Sequence, residues 1–289
     1  IVPALCWVSD VSPLVNLGLT PVFVDVDPRT FSLDTRKTLD AITDKTVGVI
    51  LVHGLGFNGL TDELLEKLTE LRIPLIEDCC ESHGATHNGK RIGTFGDMSN
   101  FSFYFGHHMT SIEGGTVCTN DEKLDELIKM YRSHGMIRES SDETKKYYER
   151  RCPDVNPMFL FAVPGYNLRN NEINAVLASS QLKRLNDNIE NRRKNLDIWL
   201  DNLSSDLYWT DFKREGNSSF CLPLVLNEKN SNHLKKIIEI LDEKNIEYRL
   251  GTVGGGNHTR QPYLRDFACS FRIHDNLEVS DHIADFGLY

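Results

Sequence analysis

The first half of the chain alternates short apolar runs with stretches of helical period. Residues 21–27 (PVFVDVD) and 74–78 (PLIED) read as strands that run into acidic residues, and 46–53 (TVGVILVH) as a nearly all-apolar strand. Between them, 35–42 and 61–71 place apolar residues at helical spacing, the second opened by a Thr-Asp cap. Segments 98–104 and 115–118 read as further strands, and 121–132 as a helix. Strands apolar on both faces that alternate with helices predict an α/β domain built on a mainly parallel sheet. In such sheets ligands bind beyond the carboxyl ends of the strands. Asp78 and the loop 107–115 (HHMTSIEGG) fall there.

Further along, 139–154 (ESSDETKKYYERRCPD) is charged and has no clear apolar period, which predicts a surface excursion. Residues 172–199 form a long helical stretch with apolar positions at Ile173, Val176, Leu177, Leu182 and Leu185, broken or bent along its length. A strand over 219–226, a helix over 232–244 and a strand over 247–250 predict a second, smaller α/β unit. The expected division is a large domain over 1–185 and a small one over 186–289.

Composition narrows the function classes. The 289 residues suffice for one large domain or a large and a small one, and 40% hydrophobic with 26% charged residues fits a globular protein. A net charge of -10 argues against nucleic-acid binding, though a few local donors can still hold a small phosphate. No apolar run approaches the ~20 residues of a membrane span. The seven cysteines, Cys6, Cys79, Cys80, Cys118, Cys152, Cys221 and Cys269, are odd in number and contain no CxxC pair. They read as free thiols in a reducing cytoplasm rather than a disulfide framework or zinc site. The opening IVPALCWVSDV and the closing HIADFGLY both read as the interior of a longer product.

Two places carry candidate chemistry. Asp78, at the end of PLIED, could hold a protonated ring nitrogen or a metal, or simply cap the next helix. The segment 100–116 (NFSFYFGHHMTSIEGGT) joins Ser102, the pair His107-His108 and Gly114-Gly115 in one compact loop, equally readable as a polar loop with incidental histidines. Adjacent histidines rarely ligate one metal, and no further His, Cys or carboxylate grouping has ligand spacing, so no metal site is expected.

The motifs DCCESHGA, GTFGDMSNFSFYFGHHMTSIEGG, GYNLRNNEINA and QLKRL, in this order and spacing, resemble the DegT/DnrJ/StrS sugar aminotransferases of PLP fold type I. The resemblance covers nearly the whole chain. It implies a large domain with a mainly parallel mixed sheet, a smaller C-terminal α/β domain, and residues before Ile1 that include a phosphate-binding Gly-Ser-Thr loop. In the family, a lysine five residues after the serine of the loop holds the cofactor covalently. Here Ser102 stands at the serine position and His107 at the lysine position, with no lysine between Lys90 and Lys123. A His-His pair at this place resembles the family's sugar-nucleotide 3-dehydratase branch.

The resemblance assigns roles one residue at a time. Asp78 would keep the pyridine nitrogen protonated, so that the ring acts as an electron sink. Glu81 would lie near the phenolic oxygen, Trp7 would stack on the ring, and Ser102 would bind the cofactor phosphate. Asn167, in GYNLR, would reach the phosphate of a neighbouring subunit, implying a homodimer with shared active sites. The catalytic base would be His107, with His108 as a supporting, substrate-side group. Taken singly, Trp7 could equally be core, Asn167 a turn residue and Glu81 a helix-start charge.

The implied chemistry uses PMP, loaded from PLP by an amino donor such as glutamate. It removes a proton from the cofactor's methylene carbon and expels the hydroxyl at carbon 3 of a 4-keto-6-deoxy sugar nucleotide. An imidazole of ordinary pKa ~6.5 is largely neutral and able to accept that proton, whereas lysine at ~10.4 would recapture PLP.

The nucleotide stays open at this point. One family branch, CDP-linked, holds an iron-sulfur cluster on several cysteines, but residues 133–157 contain only Cys152, so no cluster is expected. Yet GGGNHTRQPYL (254–264) resembles that CDP-linked branch, with Arg260 as a candidate for a substrate phosphate or an ordinary surface arginine. An aminotransferase with an altered lysine and a non-catalytic relative are the rival readings.

Overall fold

The computed structural model describes residues 1–267 and 270–289, so Cys269 lies outside the described residues. In chain order its first elements are β1 (Val2–Pro3), α1 (Val8–Asn16), β2 (Val22–Val24), α2 (Thr35–Asp40), β3 (Val49–Val52), α3 (Asp62–Leu71) and β4 (Leu75–Asp78). A small hairpin, β5 (Thr86–His87) and β6 (Lys90–Arg91), precedes β7 (Met98–Ser102) and β8 (Gly115–Thr119). Strands β3, β4 and β7 run parallel and β8 closes antiparallel on β7. β1 and β2 pair in parallel, and β1 is tied to β3 by Ile50 N donating to Ile1 O at 2.9 Å. The result is the mixed, mainly parallel sheet that the alternating pattern predicts.

The strands expected at 21–27, 46–53 and 98–104 shorten to Val22–Val24, Val49–Val52 and Met98–Ser102, where partners align, whereas β8 runs one residue beyond its expected end, to Thr119. Helix α3 begins where its cap demands, with Thr61 Oγ1 accepting from Leu64 N at 3.2 Å. Its Leu64 and Leu68 are buried with Val24, Leu51, Leu75 and Ile92 in one core layer. A second core joins Leu5, Phe23, Phe31 and Phe57 to Leu196, Leu200, Val225, Leu264 and Ile283, so residues on both sides of position 185 share it.

The chain continues through α4 (Glu122–Arg132), α5 (Asp142–Arg151), α6 (Glu172–Leu182) and α7 (Leu185–Asn202). The charged stretch 139–154 lies at the surface as expected, but it contains a full helix, α5, with no buried residue. Helix formation there rests on the Ser141 cap and on charges of the right sign at each end, not on an apolar stripe. The long stretch after 172 does break, into α6 and α7 at Lys183-Arg184.

The remaining elements are β9 (Leu224–Val225), α8 (Ser231–Glu243), α9 (Pro262–Arg265), β10 (Arg272–Ile273), α10 (Glu278–Phe286) and β11 (Gly287–Leu288). Two expectations are corrected here. The strand over 219–226 reduces to β9, which pairs only with the two-residue β11. Residues 247–250 form no strand. Arg249 and Tyr289 exchange backbone hydrogen bonds of 2.8 and 3.0 Å, and Leu250 makes a single bridge to Leu288. A pairing this narrow cannot extend into a ladder. β10 crosses back to pair in parallel with β2.

The segment 254–264 packs on the residues after β1. His258 N donates to Ala4 O at 2.9 Å, and Gly254 adopts φ +71° so close that a Cβ would fall 2.0 Å from Cys6 O. Only glycine fits that approach.

Candidate active site

The carboxyl end of the sheet gathers the chemistry. Asp78 ends β4 and is 4% exposed; its Oδ1 accepts from Cys80 N at 2.9 Å and from Asn100 Nδ2 at 3.1 Å. Asn100 stands opposite Asp78 in the β4–β7 register, so strand pairing itself sets this contact. β7 and β8 form a hairpin whose connection carries the histidines, pinned by Phe103 N donating to Gly114 O at 2.8 Å and Ser111 N to Phe103 O at 2.9 Å. Ser102 ends β7, and its Oγ accepts from Tyr104 N at 3.2 Å.

His107 is half-buried, with rings of Phe220 at 5.4 Å and His83 at 6.2 Å. Its Nδ1 is buried and has no hydrogen-bond partner among the described residues. Burial pushes its pKa down, while the charge of Asp78 opposes the shift. His108 points elsewhere: it is 5% exposed and its Nε2 donates to Ser218 O at 3.0 Å. Burial first, then Arg192, pushes its pKa down to about 3, so it stays a neutral anchor between the loop and residues 217–220.

Glu81 follows β4 and accepts from Leu55 N at 2.8 Å. Burial pushes its pKa up to about 7, opposed by that hydrogen bond. Trp7 caps α1 with 56% of its surface exposed, an aromatic face left open rather than packed into the core.

Two residues identified in the sequence lie apart. Asn167 is exposed, bridges Ser133 through the backbone and accepts weakly from Arg169 at 3.4 Å. Arg260 is gripped by Asp281 and Asp285, which already balance its charge. Its Nη1 and Nη2 make these ion pairs, and its side chain is 40% exposed.

Sequence reasoning passed over two buried groups. His83, inside the quoted DCCESHGA, stacks on Phe101 at 5.6 Å and edges against both His107 and His108; burial first, then His107, pushes its pKa down to about 4. Asp10, in CWVSD, is 6% exposed and its Oδ2 accepts from Trp7 N at 3.2 Å; burial first, then the charge of Asp78, pushes its pKa well up. Its place in the first turn of α1 reads in sequence as an ordinary helix-start acid.

A third cluster, His53, Glu77 and Cys79, brings its ligand atoms within 4.8 Å of one another. Its donors and acceptors are already committed. Gly59 N donates to His53 Nδ1 at 3.2 Å, so His53 Nε2 donates to Glu77 Oε2 at 3.2 Å. Glu77 also accepts from Gly93, Phe95 and Gly96 N at 2.7–2.8 Å. The cluster is a brace that shapes the turn 93–96.

The donor set suits a pyridoxal cofactor: a buried carboxylate at a strand end, an imidazole nitrogen without a partner nearby, a strand-end serine and an open aromatic face. These features define the class. The family profile of the DegT/DnrJ/EryC1/StrS aminotransferases matches residues 1–282, and the chain belongs to that family.

Among its relatives, the chain is 35% identical over 291 residues to GDP-4-keto-6-deoxy-D-mannose 3-dehydratase of Yersinia pseudotuberculosis, spanning 100% of this chain and 73% of that one. It is 32% identical over 290 residues to the enzyme of the same name from Escherichia coli, spanning 100% of this chain and 74% of the relative. The crystal structure of GDP-4-keto-6-deoxymannose-3-dehydratase with a trapped PLP-glutamate geminal diamine superposes with a TM-score of 0.86 at 30% identity, covering 99% of this chain and 74% of that one.

Proposed function

We propose that the protein is a PLP/PMP-dependent 3-dehydratase acting on a GDP-linked 4-keto-6-deoxy sugar in deoxysugar biosynthesis. The observation that carries the proposal is His107: an imidazole kept neutral by burial, with a partnerless Nδ1, at the place where the family's aminotransferases have lysine. Likeness to the GDP-linked dehydratases favours GDP over CDP.

When bound, the cofactor supplies an electron sink and an amine that can capture the sugar's keto group. The chain's residues do the rest. Asp78 would present its buried carboxylate to the ring nitrogen, and Ser102 would donate to the phosphate. Trp7 would cover the ring, and Glu81 would lie near its phenolic oxygen. His107 Nδ1 accepts the proton whose removal drives loss of the hydroxyl at sugar carbon 3, since a neutral imidazole is a competent base near pH 7. His108 holds the loop so that His107 keeps its place. Glutamate is the amino donor in this reading, in keeping with the glutamate adduct of the related crystal structure.

A homodimer completes the site. Asn167 is exposed beside exposed Tyr166 and Leu168, and α6 carries exposed Ile173, Val176 and Leu177 on one face, with no buried residue in the helix. An apolar helix face of this kind suits a subunit interface. We place the boundary between large and small domains at the α6–α7 break. The thiols are unpaired among the described residues, and no described helix is long and apolar enough to cross a membrane, which fits a cytoplasmic setting.

The test is to incubate the protein with PLP, glutamate and GDP- or CDP-linked 4-keto-6-deoxy sugars and follow the nucleotide by mass spectrometry. Loss of the carbon 3 hydroxyl, faster for the GDP sugar and abolished in His107→Asn, is the expected result. A 4-amino sugar that keeps the hydroxyl would make the protein an aminotransferase instead.

A further inference from the structure

A basic imidazole is usually oriented by a hydrogen bond to its second nitrogen. The buried Nδ1 of His107 has no such partner among the described residues. Three rings surround the imidazole instead: Phe220 at 5.4 Å and tilted by 43°, Tyr104 at 6.0 Å and His83 at 6.2 Å, the last two edge-on. Tyr104 belongs to the same loop as His107 and is 37% exposed, and His83 stacks on Phe101 of β7. Phe220 is the nearest of the three and comes from a distant part of the chain.

The segment that carries Phe220 is tied on several sides. Ser218 N donates to Gly56 O at 2.8 Å, and Phe220 N to Leu55 O at 2.9 Å. Gly56 has φ +88°, and a Cβ there would fall 2.7 Å from the backbone N of both Ser219 and Phe220, so glycine is what lets the two segments meet. From α7, Arg192 Nη1 donates to Phe220 O at 2.6 Å, and Arg193 Nε donates to Asn217 O. The Phe220 side chain packs on the second core, and its ring also lies 6.0 Å from that of His108. A ring fixed at both of its backbone groups therefore bears on both histidines of the loop.

We propose that Phe220 is a positioning residue, whose ring, held by residues 54–57 and by α7, sets the orientation of the His107 imidazole. The inference rests on the reading of His107 as the base. Rings with centroids about 4.5–7 Å apart attract each other in preferred geometries. An imidazole turned away from the proton it must take loses rate rather than substrate binding. Leucine at position 220 keeps much of the apolar volume without a flat face, whereas tyrosine keeps the ring.

The first measurement is turnover of the GDP-linked 4-keto-6-deoxy sugar. Phe220→Leu should lower kcat about tenfold while KM and PLP affinity stay within about twofold of the wild type, and Phe220→Tyr should keep kcat within about threefold.

The second measurement needs no cofactor: NMR titration of the histidine Cε1–H signals of the apoprotein, with His107 assigned by its loss in His107→Asn. The groups facing His107 are Asp78 at the end of β4, His83 beyond it, Tyr104 and His108 in its own loop, and Arg192 behind Phe220. Burial pushes the His107 pKa down against the pull of Asp78. Phe220→Ala removes part of that cover, so the His107 midpoint should rise towards ~6.5, whereas Phe220→Tyr should leave it in place. His233, which packs on Tyr208, should titrate alike in every variant and so reports that the fold is kept. Phe220→Leu should move the midpoint the same way by less, and it decides the matter if the alanine variant does not fold.

An unchanged kcat in Phe220→Leu, an equal loss in the leucine and tyrosine variants, or a His107 midpoint indifferent to position 220 would overturn the proposal. If the wild type dehydrated no sugar nucleotide, the reading of His107 as base would fall, and the apoprotein titrations would still decide whether Phe220 holds its ring.

Discussion

At the residue scale, function turns on which carboxyls and imidazoles keep their protons. The three histidines near the loop differ in environment rather than type. His108 spends its Nε2 on Ser218 O, His83 lies against Phe101, and His107 alone combines partial exposure with the field of Asp78. Glu81 is the other titrating group of the site, raised to about 7 by burial. Because the folded value exceeds the unfolded value of about 4.3, the wild type loses stability as pH rises from about 4.3 to about 7. Glu81→Gln should therefore stabilise the apoprotein by an amount that grows across that window and levels off above it. Denaturant titrations at pH 4.5, 6 and 8 would check this, and a gain independent of pH would contradict it.

At the element scale, the site depends on strand ends being held where the ladder leaves them. β4 places Asp78 against Asn100, and the residue before it, Glu77, points to the other face and braces the turn 93–96. Burial raises the Glu77 pKa, but the hydrogen bonds from His53 and the backbone outweigh it, so the net shift is downward. A lowered carboxylate contributes stability above its unfolded pKa and loses it as pH falls through the folded value. Glu77→Ala would strand three part-buried backbone N–H groups and should cost about 3 kcal/mol in urea unfolding at pH 7. The deficit should shrink below about pH 4, where the wild type surrenders the same contribution.

At the scale of the whole molecule, the apolar face of α6 is the feature that one chain cannot explain. Ile173 is 74% and Val176 69% exposed, adjoining exposed Leu168 and Tyr166. Replacing both Ile173 and Val176 with Asp should shift the protein from dimer to monomer in analytical ultracentrifugation and leave its circular dichroism unchanged. PLP affinity should fall with the dimer if Asn167 serves the neighbouring subunit. A monomeric wild type, or a dimer indifferent to both substitutions, would count against a shared site.

By itself, the sequence determined the α/β order, the strand-end position of Asp78 and the loop that carries His107, because these follow from local period, caps and motif spacing. Thr61 capped its helix as read, and PLIED ended where its apolar run met Asp78. What long-range contact decides was out of its reach. The strand expected at 247–250 meets only Leu288 and Tyr289 among the described residues. Arg260 met two aspartates brought near by α10, and the helical period of 172–182 did not show that its apolar positions stay exposed. Glu81 and Leu55 N, 26 positions apart in the chain, meet only in the fold, where burial raises the carboxyl. The charge of a carboxyl depends on what lies within a few ångströms of it in space, and the fold alone sets that.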